Sequence, residues 1–314
     1  MVKEEYIKSF DETKIFTYTY DKVKKPKGVV LIVHGMAEYA KRYQEFAEFL
    51  NENNYIVFCF DLRAHGQTAG DIENLGKYKA DLFDDCVGDI MFFSNYLHET
   101  YSNLPLYVLG HSFGSFLLQR YIEVYEDYNG IIFSGSANMN HQASVAMGLM
   151  VARTTKLFCG KNHPAKMIAN LSFGAYGKHF ENKNWLTRDE AIFNQYQFDK
   201  FCGFVCSANF YCSFFKNLKK IYKTENLAQI NFDKPILILS GSSDPVGGFG
   251  KLTTKLKNLY EKLGSKNIGF KLYENARHEI LNETNKKEVY DDILTFLEKQ
   301  TQRKWFYEKR LCYG

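Results

Sequence analysis

Short apolar runs alternate along this chain with stretches whose apolar positions recur every three or four residues, the pattern of strands followed by helices. Val29 to Val33 (VVLIV) and Tyr55 to Phe60 (YIVFCF) have no polar face, so they read as strands buried on both sides. Leu106 to Leu109, Gly130 to Phe133, Ile236 to Leu239 and Ile268 to Tyr273 complete that series, and Lys14 to Tyr20 reads as an earlier strand. Helical spacing predicts helices around Tyr43 to Leu50, from Leu82 to Leu97, over Phe116 to Tyr125, near Lys251 to Leu263 and over Glu288 to Leu297. The alternation predicts an α/β fold: a mostly parallel central sheet with helices on both faces.

The alternation lapses between about Ala137 and Gln229. That is too long for a structureless loop, and its apolar residues keep mostly helical spacing. We read 1–136 and 230–314 as one core domain and 137–229 as a helical cap inserted over the strand ends. An unrelated second domain is the plainer alternative.

Composition narrows the class. With 45% hydrophobic and 16% aromatic residues the chain is globular, not disordered. Forty basic against 36 acidic residues leave +4, too little for a nucleic-acid footprint. No apolar run is long enough to span a bilayer, and the charged start MVKEEYIKSFDE lacks a signal core. Seven cysteines, an odd set, read as reduced thiols, so a cytoplasmic location is expected. Cys202, Cys206 and Cys212 fit no zinc spacing, and no metal site is expected.

Gly110-His111-Ser112-Phe113-Gly114 matches G-x-S-x-G, which chance would supply about 0.07 times in such a chain. A strand runs into it and a helix leaves it, the setting of a strained turn that exposes a nucleophilic serine. A tight turn with an idle serine is the bland alternative. Ser112 needs a base, and in this fold the order is serine, acid, histidine. His141, His163 and His179 fall in the insertion, whereas His278 lies just beyond the strand Ile268 to Tyr273. Asp244 follows the strand Ile236 to Leu239 in a Ser-Gly-Pro turn and is the candidate acid. Asp233 precedes that strand; Glu274 and Glu279 sit too close to His278 to face it easily. The oxyanion donors are expected to be the backbone N–H groups of Phe113 and Met36. His34, straight after a buried strand, is expected to hold its loop.

HGMAEYAKRY at 34–43, DLRAHGQTAG at 61–70, GHSFGS at 110–115, SGSSDPVGG at 240–248 and ARHEILNE at 276–283 occur in one order. With these pieces the chain resembles the α/β-hydrolases of the monoacylglycerol lipase and lysophospholipase-like group, related to serine aminopeptidases. The resemblance implies a serine ester hydrolase with no cofactor, catalytic Ser112, Asp244 and His278, and Glu38, Arg42 and Val246 as substrate-binding residues. Two positions depart from the family: Tyr39 replaces a second histidine of HGxxEH, and Leu281 replaces the histidine that monoacylglycerol lipases carry after the catalytic one. These departures bear on monoglyceride specificity, not on ester hydrolysis.

The expected substrate is a small-molecule or lipid ester, in first place a lysophospholipid or monoglyceride. The competing readings are short or aromatic acyl esters, an aminopeptidase using cap carboxylates among Glu181, Asp189, Glu190 and Asp199, and a non-catalytic ligand-binding protein. Phe201, Phe204, Phe210, Tyr211, Phe214 and Phe215 could line an acyl pocket, although most are expected to form the cap's own core. Lys216, Lys219, Lys220 and Lys223 lie at helical spacing and could rest transiently on anionic lipid; a solvated face is the usual explanation.

Overall fold

The structure, a computed structural model, describes residues 2–140 and 142–312. Its eight strands are β1 Lys3–Lys8, β2 Lys14–Tyr20, β3 Gly28–Val33, β4 Tyr55–Phe60, β5 Leu106–His111, β6 Gly130–Ser134, β7 Ile236–Gly241 and β8 Ile268–Tyr273. They form one sheet in the order β1-β2-β4-β3-β5-β6-β7-β8. From β4 onward the pairs are parallel, and β1 and β2 are antiparallel at one edge.

β3, at the middle, shows why apolar runs make central strands. Val29, Leu31 and Val33 point into the core under the helices α2 (Leu82–Thr100) and α3 (Phe113–Val124). Val30 and Ile32 point to the other face, covered by α1 (Gln44–Glu52) and α11 (Lys286–Cys312) through Phe46, Leu50, Ile293 and Leu297. A polar residue at any of these positions would lose its water with no partner in return.

β1 was not predicted. Its sequence KEEYIK keeps both faces largely exposed, so it carries no burial pattern. It is held by antiparallel pairing with β2, and its lysines and glutamates suit an edge that must not recruit another strand. The last helix also exceeds the predicted Glu288 to Leu297, beginning at Lys286 and continuing to Cys312.

Between β6 and β7 the chain is helical: α4 Gln142–Cys159, α5 Lys166–Leu171, α6 Phe173–Gly177, α7 Glu190–Phe198, α8 Ala208–Ile221 and α9 Thr224–Leu227. α8 starts where the Ser207 hydroxyl accepts from the Phe210 amide at 3.3 Å. Its Phe210, Tyr211, Leu218 and Ile221 are buried. Two of its lysines have a local partner: Lys216 pairs with Asp81 (2.6 Å) and Lys220 with Asp84 (2.7 Å), at the start of α2. α10 (Lys251–Lys262) follows β7. Among the described residues no helix is long and apolar enough to cross a membrane.

Candidate active site

Every candidate catalytic residue follows the C-terminal end of a parallel strand, so sheet topology gathers them at one edge. Ser112 connects β5 to α3 with φ 50° and ψ −116°, a conformation costly for a residue with a side chain. Its flanking glycines are obligatory. A Cβ on Gly114 would lie 2.3 Å from the Val33 carbonyl oxygen, and one on Gly110 would lie 2.6 Å from that of Gly114. The turn is held because the Ser112 amide donates to the Ser134 carbonyl (2.9 Å) while its own carbonyl accepts from the Ser115 amide and hydroxyl.

Asp244 is fully buried. Its Oδ2 lies 3.0 Å from His278 Nδ1 and accepts from the Ser240 hydroxyl at 3.0 Å; Oδ1 accepts from the Val246 amide at 2.8 Å. Burial opposes ionisation of this carboxyl, but His278 and these donors outweigh it and hold it below the usual carboxylate range. Burial would lower the His278 imidazole; the facing Asp244 carboxylate, aided by Glu279 and Glu38, raises it instead. The ring packs on His111 (4.7 Å between centroids) and on Trp185 (5.1 Å).

Ser112 and His278 line one cavity of about 280 Å³, together with Glu38, Trp185 and Glu279. Among the described residues the His278 ring bonds Asp244 through Nδ1, and the Ser112 hydroxyl shares the chamber wall with it without a direct hydrogen bond. Ser112 also lines a second, largely apolar cavity of about 340 Å³, with Met36, Phe113, Phe214, Phe215 and Val246. The nucleophile candidate is therefore the shared wall of two chambers of different polarity.

The loop after β3 reaches the same point. A Cβ on Gly35 would come within 3.2 Å of the Ser112 Cβ, so the Gly35-Met36 segment runs directly beside the serine. The Phe113 amide opens α3 and has no acceptor within that helix, and the Met36 amide has no protein acceptor among the described residues. His34 is fully buried and neutral, its pKa pushed down to about 3 by burial. Its Nε2 accepts from the Leu62 amide (2.9 Å) and its Nδ1 lies 2.8 Å from the Gly35 carbonyl, so it holds the loop as the sequence suggests.

Glu38 and Arg42 have protein partners. Glu38 Oε1 accepts from the Gly35 amide (2.6 Å) and the Tyr43 hydroxyl (2.9 Å), and its Oε2 accepts from Arg42 (2.7 Å). Arg42 also grips Glu279 with two parallel bonds of 2.8 and 2.6 Å. Burial works against the Glu279 charge, but Arg42 pulls its pKa down to about 2. Both residues fall within quoted motifs, Arg42 in HGMAEYAKRY and Glu279 in ARHEILNE, but nothing local shows that they pair, because they are 237 positions apart.

Tyr39 donates to Asp199 (2.8 Å), and Leu281 is buried in the core. Of the six aromatic candidates, Tyr211, Phe214 and Phe215 line the apolar cavity and Phe204 the other. Phe210 packs on Phe113 and Phe201 on Tyr39. More of the six therefore face the cavities than the sequence reading expected. His163 and His179 lie in the insertion, and His179 packs on Phe249 at 5.2 Å, but the Asp244 carboxylate bonds His278 and neither of these; His141 lies outside the described residues.

A family model described as serine aminopeptidase S33 matches residues 24–285. A monoacylglycerol lipase of Mycolicibacterium smegmatis is 26% identical over 276 residues, 87% of this chain and 88% of that protein. In structure, a thermostable carboxyl esterase from Bacillus coagulans, solved with glycerol, matches with a TM-score of 0.87 at 24% identity, over 96% of this chain and 99% of its own. A soluble variant of the Saccharomyces cerevisiae monoglyceride lipase, solved with a substrate analogue, matches with a TM-score of 0.74 at 23% identity, over 96% and 95%. These likenesses show the α/β-hydrolase fold.

Proposed function

Because the chain belongs to the serine aminopeptidase S33 family and is an enzyme of the α/β-hydrolase class, we propose that it hydrolyses carboxylic esters of monoacyl lipids, lysophospholipids or monoglycerides, through an acyl-enzyme on Ser112. The observation that carries this reading is the position of Ser112 between two chambers, with His278 held by Asp244 on one side. The apolar chamber suits an acyl chain; the chamber bearing Glu38, Glu279 and His278 suits the alcohol part.

In the first half-reaction Ser112 Oγ attacks the ester carbonyl carbon while its proton passes to His278 Nε2. The Nδ1–H bond to Asp244 fixes the tautomer that leaves Nε2 free to accept, and the carboxylate stabilises the imidazolium. The Met36 and Phe113 amides receive the tetrahedral oxyanion. His278 then gives its proton to the leaving alkoxide. In the second half-reaction it takes a proton from water, which attacks the acyl carbon; the acid leaves and Ser112 regains its proton.

Residues 137–229 act as the cap that shapes both chambers. An aminopeptidase would need a free carboxylate for the substrate amine, and the cap carboxylates lie elsewhere. Asp189 caps α7, Asp199 accepts from Tyr39, and neither of these, nor Glu181 or Glu190, lines a Ser112 chamber. The two carboxylates that do, Glu38 and Glu279, are both paired with Arg42. This supports an ester over a peptide substrate. Contact with a lipid surface falls to α4 and α5, where Met147, Met150, Leu157, Phe158, Met167 and Leu171 are exposed. Cytoplasmic residence belongs to the same reading, on the odd cysteine count.

A fluorophosphonate probe should label the protein and leave Ser112→Ala unlabelled; equal labelling of both would end the serine mechanism. Nitrophenyl acetate, decanoate and palmitate then rank the acyl groups. A preference for acetate over decanoate would replace the lipid reading with a short-chain esterase.

A further inference from the structure

Away from the Ser112 chambers, a cleft of about 650 Å³ opens between α4, α8 and the segment leading into α2. Lys79, Arg153, Lys156 and Lys216 line it. Asp81 is the one acidic residue of its lining, and it is already engaged by Lys216 (2.6 Å), Asn217 (3.0 Å) and Ser213. Lys156 Nζ donates to the neutral side chain of Asn209 at 2.6 Å. Among the described residues Lys79 and Arg153 have no carboxylate partner. Three cations thus face one cleft without neutralisation.

The local sequence reinforces the asymmetry. Residues 142–180 contain Arg153, Lys156, Lys161, Lys166 and Lys178 and no aspartate or glutamate, in a chain whose 36 acidic residues nearly balance its 40 basic ones. Mutual repulsion of this kind raises the affinity of the surface for an anion.

The cleft borders an apolar stripe. On α4, Met147, Met150, Leu157 and Phe158 fall within an arc of about 100° and are all exposed, Leu157 at 78% and Phe158 at 79%. Arg153 and Lys156 flank that arc on the cleft side, and Leu157 belongs to both. A soluble anion would satisfy the cations and leave the stripe in water. An anionic bilayer satisfies both, with phosphate headgroups at the cations and the stripe at the acyl boundary. Met147 and Leu171, exposed on the same helices, also line the apolar Ser112 chamber, so its mouth opens on this face.

We propose that the cleft between α4 and α8 is a headgroup site for anionic phospholipid, docking the enzyme on negatively charged bilayers with the mouth of its acyl chamber against the surface. This rests on the lipid-surface contact proposed above, and adds the charge class of the lipid and the residues that select it. It also moves the basic contact from the α8 lysines, two of which are spent on Asp81 and Asp84, to Lys79, Arg153 and Lys156.

The test is co-sedimentation of the full chain with vesicles of phosphatidylcholine alone, or with phosphatidylglycerol as about a third of the lipid. The wild type is expected to bind the anionic vesicles on the order of 100-fold more tightly, roughly 5-fold for each of three cations, and to lose the gain in high salt. The combined Lys79→Ser, Arg153→Ser, Lys156→Ser variant should lose that gain while hydrolysing a soluble acetate ester at the wild-type rate. The Lys79→Arg, Arg153→Lys, Lys156→Arg variant should keep it. If the triple serine variant does not fold, Arg153→Ser alone decides, with a loss of about 5-fold expected. Equal wild-type binding to both vesicles, or a serine variant that keeps the anionic preference, overturns the headgroup site and leaves the lipid-surface contact standing. Binding to neither overturns both, while probe labelling of Ser112 still judges the ester mechanism separately.

Discussion

Arg42 forms a two-pronged ion pair with Glu279, the residue next to His278, and so ties the loop after β3 to the loop after β8. The same guanidinium bonds Glu38, whose other oxygen holds the Gly35 amide beside Ser112. One buried cation therefore sets the relative position of the proposed oxyanion loop and the proposed base.

Replacing Arg42 by alanine leaves two buried carboxylates without a counter-charge, which is expected to cost roughly 3–5 kcal/mol of stability. Arg42→Lys keeps the charge but loses the parallel bonds and should fall between. The Glu279 contribution has a definite sign with pH: its pKa is depressed to about 2, so the stabilisation is full above the ordinary value of 4.5 and is lost as pH falls toward 2. Urea unfolding of the two variants across acidic pH measures both effects.

Ser112→Ala and His278→Ala should each lower turnover of a nitrophenyl ester on the order of 10⁴-fold or more, without additivity in the double variant. Single-turnover kinetics should show no acyl-enzyme burst in either. A residual burst in Ser112→Ala would move the nucleophile elsewhere.

His278 must be neutral to accept the Ser112 proton, and its pKa is raised, above all by Asp244 acting against burial. The acid limb of kcat/KM should therefore lie above the ordinary histidine value of 6.5 and activity should rise with pH through it. In Asp244→Asn the limb should move down in pH while the rate falls. For stability the sign is opposite: the raised His278 contributes fully below pH 6.5, as long as Asp244 stays ionised, and its contribution is lost as pH rises through the folded-state value.

Gly114→Ala should be among the most damaging small substitutions, because the new methyl meets the Val33 and His34 carbonyl oxygens at 2.3 and 2.6 Å, both backbone atoms that cannot swing aside. Loss of soluble protein or of thermal stability is the expected outcome. An active, stable Gly114→Ala would contradict the close approach of α3 to β3.

Val151 lines the apolar chamber from α4. Val151→Trp should fill it, lowering kcat/KM for decanoate at least about 10-fold relative to acetate. A uniform loss for both esters would place the acyl chain in the other chamber.

The central strands were legible because burial on both faces leaves a trace in every residue, as in VVLIV and YIVFCF, and the turn at Ser112 because its glycines are required one by one. Strand order along the chain was enough to single out Asp244 and His278 as candidates that topology would bring to one edge. β1 escaped notice because an exposed edge strand imposes no such pattern. Among the aromatic residues of the insertion, type could not separate Phe214, which lines the apolar chamber, from Phe210, which packs between Phe113 and His65 outside that lining; their phase on α8 separates them.

What was written locally, in periodicity and in steric need, could be read from the residues alone: the alternation of strands and helices, the strained serine and its glycines. The Arg42–Glu279 pair, the two chambers that meet at Ser112 and the unpaired cations of the α4–α8 cleft arose from folding. Each depends on groups far apart in the chain whose charge or shape acquires meaning only when packing removes the water between them.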